Sequence, residues 1–144
     1  MNPPKSFVDE FEVIHTYSRK QAIADGVLVD MTQGKFGELL REAGNIQHTA
    51  MISTAFDRVI GVGQQTSPDQ DALDRWRDVL TAMKEAILDA LRNSPMSMGV
   101  ERVPFTVRIR HGAKRGVVKM YVHCGAGDAA DPMPVLTIML EGED

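Results

Sequence analysis

One long amphipathic helix is predicted by residues 67–93, which read SPDQDALDRWRDVLTAMKEAILDALRN. Its apolar side chains recur every three or four residues, the spacing of one helix face: Leu73, Trp76, Leu80, Met83, Ile87 and Leu91. Ser67 as N-cap and Pro68 at the first helical position favour a start there. At 1.5 Å per residue the helix would be roughly 38 Å long, about the width of a domain.

Three β-strands are predicted after this helix. Apolar and polar residues alternate over 105–110 and again over 118–123, with a hairpin loop at 111–116 between them. Residues 135–140, VLTIML, are apolar on both faces, as in a central or covered strand. We therefore expect the helix to lie across one face of a small antiparallel sheet. Pairing of two long helices in a homodimer stays an alternative.

Shorter elements are predicted upstream of the helix. Residues 11–15 favour a strand, and Ser18 opens a capping box that begins a two-turn helix ending at Gly26. An extended segment follows at 27–30, and two more short helices are expected, at 35–43 and from about residue 53 to 60. The fold class is therefore α+β. The 144 residues suit a single domain over 1–144, with loose ends at 1–7 and 141–144.

Composition excludes several classes of protein. The single cysteine, Cys124, excludes an internal disulfide framework and a cysteine-based zinc site. A formal net charge of −4 disfavours the coating of DNA or of anionic membranes. No apolar run approaches the roughly 20 residues of a membrane span, and the N-terminal residues lack the apolar core of a signal peptide. We expect a cytoplasmic protein that does not bind membranes.

Charge is unevenly distributed in the last third of the chain. Residues 101–123 carry six basic residues and one acidic residue, whereas residues 124–144 carry five acidic residues and no basic one. Alternation along the strands directs one set of side chains to the sheet face opposite the helix: Arg108, Arg110, Lys119, Tyr121 and His123. The hairpin tip adds Lys114 and Arg115. This basic face is either ordinary solvated strand surface, neutralised by the acidic tail, or a binding surface for an acidic or phosphate-bearing partner.

Other candidate chemistry in the sequence is weak. None of the four histidines belongs to a metal-binding pair, and His123 and Cys124 point to opposite faces of a strand, so we expect no metal site and no cofactor. Residues 124–128, CGAGD, could cradle a phosphate, but an acidic turn follows them. A structural loop is the better interpretation. We expect Cys124 to be a small buried thiol rather than a nucleophile.

A polar cluster stands where the first predicted strand meets the first helix: His15, Tyr17 and Arg19. Such a cluster is commonly a buried histidine hydrogen-bonded at a helix start. It also looks like the opening of small ADP-ribosyltransferase domains, in which the histidine contacts a nicotinamide dinucleotide. That resemblance implies a nucleotide-using enzyme with a later catalytic glutamate, for which Glu141 is the candidate.

A longer resemblance starts from residues 14–30, IHTYSRKQAIADGVLVD. This segment is similar to the signature of a bacterial family of unknown function, Ile-His-x-Tyr-(Ser/Thr)-Arg-x-Gln-Ala-Ile-x-Asp-Gly-x-Leu-Val-Asp. The similarity recurs at residues 78–80, at 124–128 and from 136 to 144. Members look like accessory genes of plasmids, integrative elements and phages. The resemblance implies a small protein that serves a mobile element inside the cell, and it supplies no catalytic residues.

Together these observations favour a non-enzymatic protein that binds a host or element-encoded protein complex through the basic face and hairpin tip. Its most concrete form is an inhibitor of a host defence complex of the CRISPR or restriction type. Two alternatives stay open. One is a binder of single-stranded nucleic acid, since positive charge beside an aromatic suits that ligand. The other is the nucleotide-using enzyme built around His15, Tyr17 and Arg19.

Overall fold

A five-stranded sheet and four helices make up the described part of the chain. The structure, a computed structural model, describes residues 18–45, 47–93, 102–111, 114–126 and 134–142. The strands are β1 Leu28–Asp30, β2 His48–Ile52, β3 Arg102–His111, β4 Lys114–Ala126 and β5 Pro134–Leu140. The helices are α1 Arg19–Ala24, α2 Gly34–Glu42, α3 Ser53–Val59 and α4 Gln70–Asn93. The α+β class is confirmed. The strand predicted at 11–15 lies outside the described residues.

The strands lie in the order β1-β2-β5-β4-β3, and their pairing is mostly antiparallel. One pairing is parallel, between β2 and β5. The sequence did not predict β2, because its core is buried on both faces at Thr49 and Ala50 and shows no alternation of apolar and polar residues. The predicted central position of β5 is confirmed. Its side chains at Leu136 and Ile138 are buried in the core.

The hairpin of β3 and β4 is longer than predicted. Pairing continues to His111 opposite Lys114, so the predicted loop at 111–116 is wrong and both strands run through most of it. The sequence signal failed because the charged and glycine residues of 111–116 are typical of a turn. A ladder between neighbouring strands needs only backbone groups, however, and it tolerates these side chains at the end of a hairpin.

Helix α4 begins later than its sequence predicts. The Asp69 carboxylate accepts a hydrogen bond from the Ala72 amide at 2.8 Å, so Asp69 caps the helix and the prediction of Ser67 is wrong. Trp76 lies on the buried stripe as predicted. Leu91, however, is 51% exposed, so this stripe stops before the last turns of the helix. A homodimer through α4 stays a prediction.

The main core lies between the sheet and helices α2, α3 and α4. The Trp76 indole donates a hydrogen bond to the Phe36 carbonyl at 3.0 Å and meets the Phe36 ring edge-on at 6.4 Å. Phe36 meets Phe56 in the same way at 5.7 Å. The three aromatic side chains therefore connect helices α2, α3 and α4. Edge-to-face pairs add to the stabilisation that burial supplies. We call this side of the sheet the inner face.

Helix α1 packs on the opposite side, the outer face. The Ser18 hydroxyl caps it by accepting from the Gln21 amide at 2.9 Å, which confirms the start of the predicted capping box. Gly26 follows with a φ of 80°, a conformation that glycine adopts without steric cost. Ala22 of α1 and Ala50 of β2 are buried without belonging to the main core. The outer face is therefore covered at one end by its own small layer.

Candidate binding surface

The outer face carries a row of residues that crosses all five strands. Strand register places them side by side, in the order Asp30, Ala50, Thr137, His123 and Arg102. The row therefore runs from a carboxylate on one edge strand to a guanidinium on the other. The two ends of this face differ in how their charged groups are used.

At the β1 end, a guanidinium from α1 is bound to the sheet. The Arg19 Nε donates to Nδ1 of His48 at 2.8 Å, its Nη1 donates to the Thr137 hydroxyl at 2.6 Å, and its Nη2 donates to the Leu136 carbonyl at 2.5 Å. Arg19 thus links α1 to β2 and β5 at once. We call this group the Arg19 cluster, with five members: Arg19, Asp30, Thr32, His48 and Thr137.

The remaining members of the cluster fix the charge of Asp30. Because Nδ1 of His48 accepts from Arg19, the imidazole proton sits on Nε2, which lies 3.4 Å from Asp30 Oδ1. The same oxygen accepts from the Thr32 amide at 2.9 Å and from its hydroxyl at 2.5 Å. Burial alone would raise the pKa of Asp30. The bonds from Thr32 and the neighbouring His48 outweigh burial, so the pKa lies below its ordinary value.

This geometry gives the nucleotide-site alternative no support. His15 and Tyr17 lie outside the described residues, and the third member, Arg19, is hydrogen-bonded to the sheet. Glu141 follows Leu140, the last residue of β5, and lies four residues beyond Thr137, which is about 13 Å where the chain is extended. The guanidinium bound at Thr137 is therefore far from the glutamate that such an enzyme would need.

At the β3 end, the outer face is exposed. Thr106 lies opposite Lys119, and Arg108 lies opposite Val117, so the two cations are diagonal neighbours on one face. Val117 beside them is 59% exposed. Within residues 18–45, 47–93, 102–111, 114–126 and 134–142, the side chains of Arg108 and Lys119 make no hydrogen bond and no ion pair. We call these four residues, Thr106, Arg108, Val117 and Lys119, the hairpin patch.

Three residues predicted to extend this surface have described backbones only. Arg110 lies in β3, and Lys114 and Arg115 begin β4, but their side chains lie outside the described part. Their register places them at the far end of the hairpin, where Arg110 pairs with Arg115. Their part in partner binding stays a prediction.

Tyr121 lies on the outer face as predicted, but it is not the exposed aromatic that stacking would need. Only 8% of it is exposed, and the guanidinium of Arg102 lies 5.3 Å from the centroid of its ring. The expectation of an exposed aromatic in the basic face is therefore wrong, and the part of Tyr121 in partner binding stays a prediction. His123 is half-buried, and its ring folds over Gly125, where an added Cβ would lie 2.9 Å from Cε1.

The described residues offer little for catalysis or metal binding. Burial raises the pKa of the Cys124 thiol, so the less nucleophilic protonated form is favoured. In the part of the chain that the structure describes, no group of three or more His, Cys, Asp or Glu side chains is placed to hold a metal ion. Of the segment 124–128, which was interpreted as a loop, Cys124, Gly125 and Ala126 belong to strand β4, and residues 127 and 128 lie outside the described residues.

Comparison with protein families assigns the chain. A family of unknown function, DUF6573, matches residues 4–144. The chain belongs to DUF6573. A search of curated proteins gave no match, and a search of solved structures gave none either. In this DUF6573 protein, no described helix is long and apolar enough to cross a membrane. The bacterial, mobile-element origin that the sequence motif implied stays a prediction.

Sequence reasoning missed most of the Arg19 cluster in this member of DUF6573. It singled out Arg19, but it did not connect that residue with Asp30, His48 or Thr137, which lie 11 to 118 positions away along the chain. A strand assignment for residues 48–52 was the signal that could have found them. It would have placed His48 beside the strand that ends at Asp30.

Proposed function

We propose that this protein is a non-enzymatic binding module that docks an acidic surface of a larger protein through the hairpin patch. One observation carries the proposal. The side chains of Arg108 and Lys119 are exposed, make no hydrogen bond or ion pair within the described residues, and stand beside the exposed Val117. An apolar side chain beside two cations suits an interface in which carboxylates meet the charges while the valine is buried.

Electrostatics sets the expected behaviour of this interface. Exposed charges are screened over about 8 Å at physiological salt, so contacts through Arg108 and Lys119 raise the rate of association mainly at low ionic strength. Binding should therefore weaken as salt is added. The valine contact should be affected far less, because burial of apolar surface does not depend on charge screening.

An acidic protein is favoured over single-stranded nucleic acid as the partner. Nucleic acid binders of that kind combine a basic groove with exposed aromatics on which bases stack. Tyr121 is buried under Arg102 and cannot serve as such a platform. The net charge of −4 also opposes an extended polyanion, whose phosphates would meet the acidic parts of the surface as well.

A charge-reversal experiment tests the surface. The variant Arg108→Glu/Lys119→Glu removes the patch, and the matched control Lys35→Glu/Arg58→Glu makes the same change in net charge on exposed residues of α2 and α3. Each immobilised protein is incubated with host lysate, and bound proteins are quantified by mass spectrometry. We expect a partner whose recovery is the same with wild type and control but falls about tenfold or more with the patch variant.

Two results would contradict the proposal. Recovery of the same proteins with the patch variant and with the control would show that the hairpin patch is not part of the interface. Fluorescence anisotropy with a single-stranded DNA of about 20 nucleotides checks the other ligand class. Tight, salt-sensitive binding that the patch variant loses would replace the acidic protein with nucleic acid as the partner.

The narrower proposal is a cytoplasmic inhibitor of a host defence complex that serves a phage or other mobile element. The resemblance of residues 14–30 to accessory proteins of such elements supports it, together with the exposed cations of the hairpin patch. The test is phage plating on hosts that carry a CRISPR or a restriction system and express the protein. We expect plating to rise with wild type and to stay low with the patch variant; no rise on any such host would contradict the inhibitor role.

A further inference from the structure

Some backbone N–H and C=O groups of β3 point away from the sheet. The Glu141 amide donates to the Lys119 carbonyl at 3.0 Å, so the backbone of Lys119 points toward β5. In an antiparallel ladder, a residue that bonds the neighbour on one side makes no bond to the neighbour on the other side, and this direction alternates along the strand. Thr106, opposite Lys119, therefore directs its N–H and C=O away from β4, and Arg108 does the same.

The position of Pro104 agrees with this alternation. It lies two residues before Thr106 and lacks an N–H group, as expected where the amide faces outward on an edge strand. Among the described strands, β4 is the single neighbour of β3. The outward N–H groups of Thr106 and Arg108 thus form an edge to which another extended chain can add by main-chain hydrogen bonds.

A groove of about 950 Å³ separates this edge from helix α4. The helix side of the groove carries four carboxylates, which we call the acidic stripe: Asp71, Asp74, Asp78 and Glu85. Their offsets of three, four and seven residues place them on one helix face. In the described residues, the carboxylates of Asp71 and Glu85 make no hydrogen bond or ion pair. The groove therefore combines an open strand edge with negative charge on one side.

We propose that the β3 edge binds an extended segment of a partner protein in which Lys or Arg alternates with small uncharged residues. A strand paired with β3 would turn every second side chain toward α4, about 7 Å apart. The carboxylates of the acidic stripe are spaced about 4 to 11 Å apart along the helix axis, so successive basic side chains each come within reach of one. The intervening side chains face the outer side beside Arg108, which disfavours further positive charge there.

Charge argues against a second copy of this chain as the occupant. If two β3 edges paired about a twofold axis perpendicular to the sheet, both α4 helices would lie on the same side of the joined sheet. The two acidic stripes would then face each other across the junction, and like charges repel. This inference does not rest on the proposed function, because it uses the backbone of β3 and the carboxylates of α4.

Labelled peptides test the edge directly on the unmodified protein. The probe is KTKTKTK, and fluorescence anisotropy measures its binding. In the proposed pairing, which is antiparallel, the threonines lie opposite Thr106 and Arg108, so their amides face β3 and the lysine amides face away. N-methylation of the threonine amides should weaken binding by about tenfold or more, whereas N-methylation of the lysine amides should leave it unchanged. The acidic peptide ETETETE should not bind.

Protein variants test the two sides of the groove separately. Thr106→Pro removes an outward amide without removing a bond to β4, and Thr106→Val keeps that amide, so only the proline should weaken KTKTKTK about tenfold. Asp71→Asn/Glu85→Gln should weaken it by a similar factor, and the matched control Asp57→Asn/Glu42→Gln, away from the groove, should not. Circular dichroism confirms folding, and the N-methylated peptides test the edge without any substitution.

Three results would overturn the inference. Absence of KTKTKTK binding at low salt would show that the edge of β3 is not a binding site for such a segment. Equal affinity of the two N-methylated peptides would show that charge alone holds the probe and that no strand is added. A concentration-dependent dimer in analytical ultracentrifugation that Thr106→Pro abolishes would identify a second copy as the occupant of the edge.

Discussion

The two ends of the outer face use the same type of side chain in opposite ways. At the β1 end, Arg19 makes three hydrogen bonds to β2 and β5 and is part of the fold. At the β3 end, Arg108 makes none within the described residues. An arginine bonded to carbonyl and hydroxyl oxygens contributes to stability, whereas an exposed unpaired one contributes little and is available to a partner. Binding and stability should therefore separate along this sheet.

The boundary between the two ends gives the largest expected effect. Tyr121→Ala removes a ring that is 8% exposed, and loss of a buried aromatic side chain costs about 3 kcal/mol in the free energy of unfolding. Val117→Ala, at the exposed end, should change it by less than about 0.5 kcal/mol. Urea denaturation measures both. A decrease of less than about 1 kcal/mol in the free energy of unfolding of Tyr121→Ala would show that the ring is not buried.

The next effect compares the two arginines directly. Arg19→Met should lower the free energy of unfolding by about 2 kcal/mol, because His48, Thr137 and the Leu136 carbonyl all lose a charged donor. Arg108→Met should change it by no more than about 0.5 kcal/mol. Equal decreases in the free energy of unfolding for the two variants, measured by urea denaturation, would show that the two arginines do not differ in their contribution to stability.

A smaller effect, about 1 kcal/mol at neutral pH, is expected for Asp30→Asn, which keeps the shape but removes the charge. The pKa of Asp30 is lower in the folded state than its ordinary 3.8, so ionisation stabilises the fold. That stabilisation is fully present above the unfolded pKa and disappears as the pH falls through the folded one. The difference between wild type and variant should therefore shrink below about pH 4.

Urea denaturation across pH checks this, with the exposed Asp57→Asn as control. The control should show no comparable convergence with wild type at acid pH. A difference for Asp30→Asn that stays constant from neutral to acid pH would show that the carboxylate is not stabilised by its neighbours.

The smallest effect concerns Arg102. Arg102→Ala removes the cation over Tyr121, and such a contact at an exposed site is worth about 0.5 kcal/mol. Lys119→Ala, a cation of the hairpin patch, should have no measurable effect on unfolding. If both changes are silent, the cation over Tyr121 does not contribute to the stability of the fold.

The sequence predicted those parts of the fold that depend on local periodicity. The apolar periodicity of α4 and the alternation in β3 and β4 can be recognised in the sequence because each element has one buried face and one solvent-exposed face. Strand β2 was not predicted, because a strand of five residues that is buried on both faces shows no alternation of apolar and polar residues. Helix α1 was found from its capping serine, a purely local signal.

The site was less predictable than the fold, for a physical reason. Arg19 and Arg108 both stand at polar positions, and only the tertiary pairing of β2 with β5 brings acceptors to the first. The guanidinium over the Tyr121 ring likewise comes from a residue of another strand, Arg102. Side-chain direction follows from local pattern, but exposure and hydrogen bonding depend on contacts between distant segments.

The parallel pairing of β2 with β5 also affects how the protein is made. β5 is the last of the five described strands to leave the ribosome, yet it occupies the centre of the sheet, between β2 and β4. The β1–β2 pair and the β3–β4 pair cannot join until it arrives, and contacts between segments this far apart in sequence slow folding. Nascent chains halted before residue 134 should therefore retain two separate strand pairs and remain dependent on chaperones.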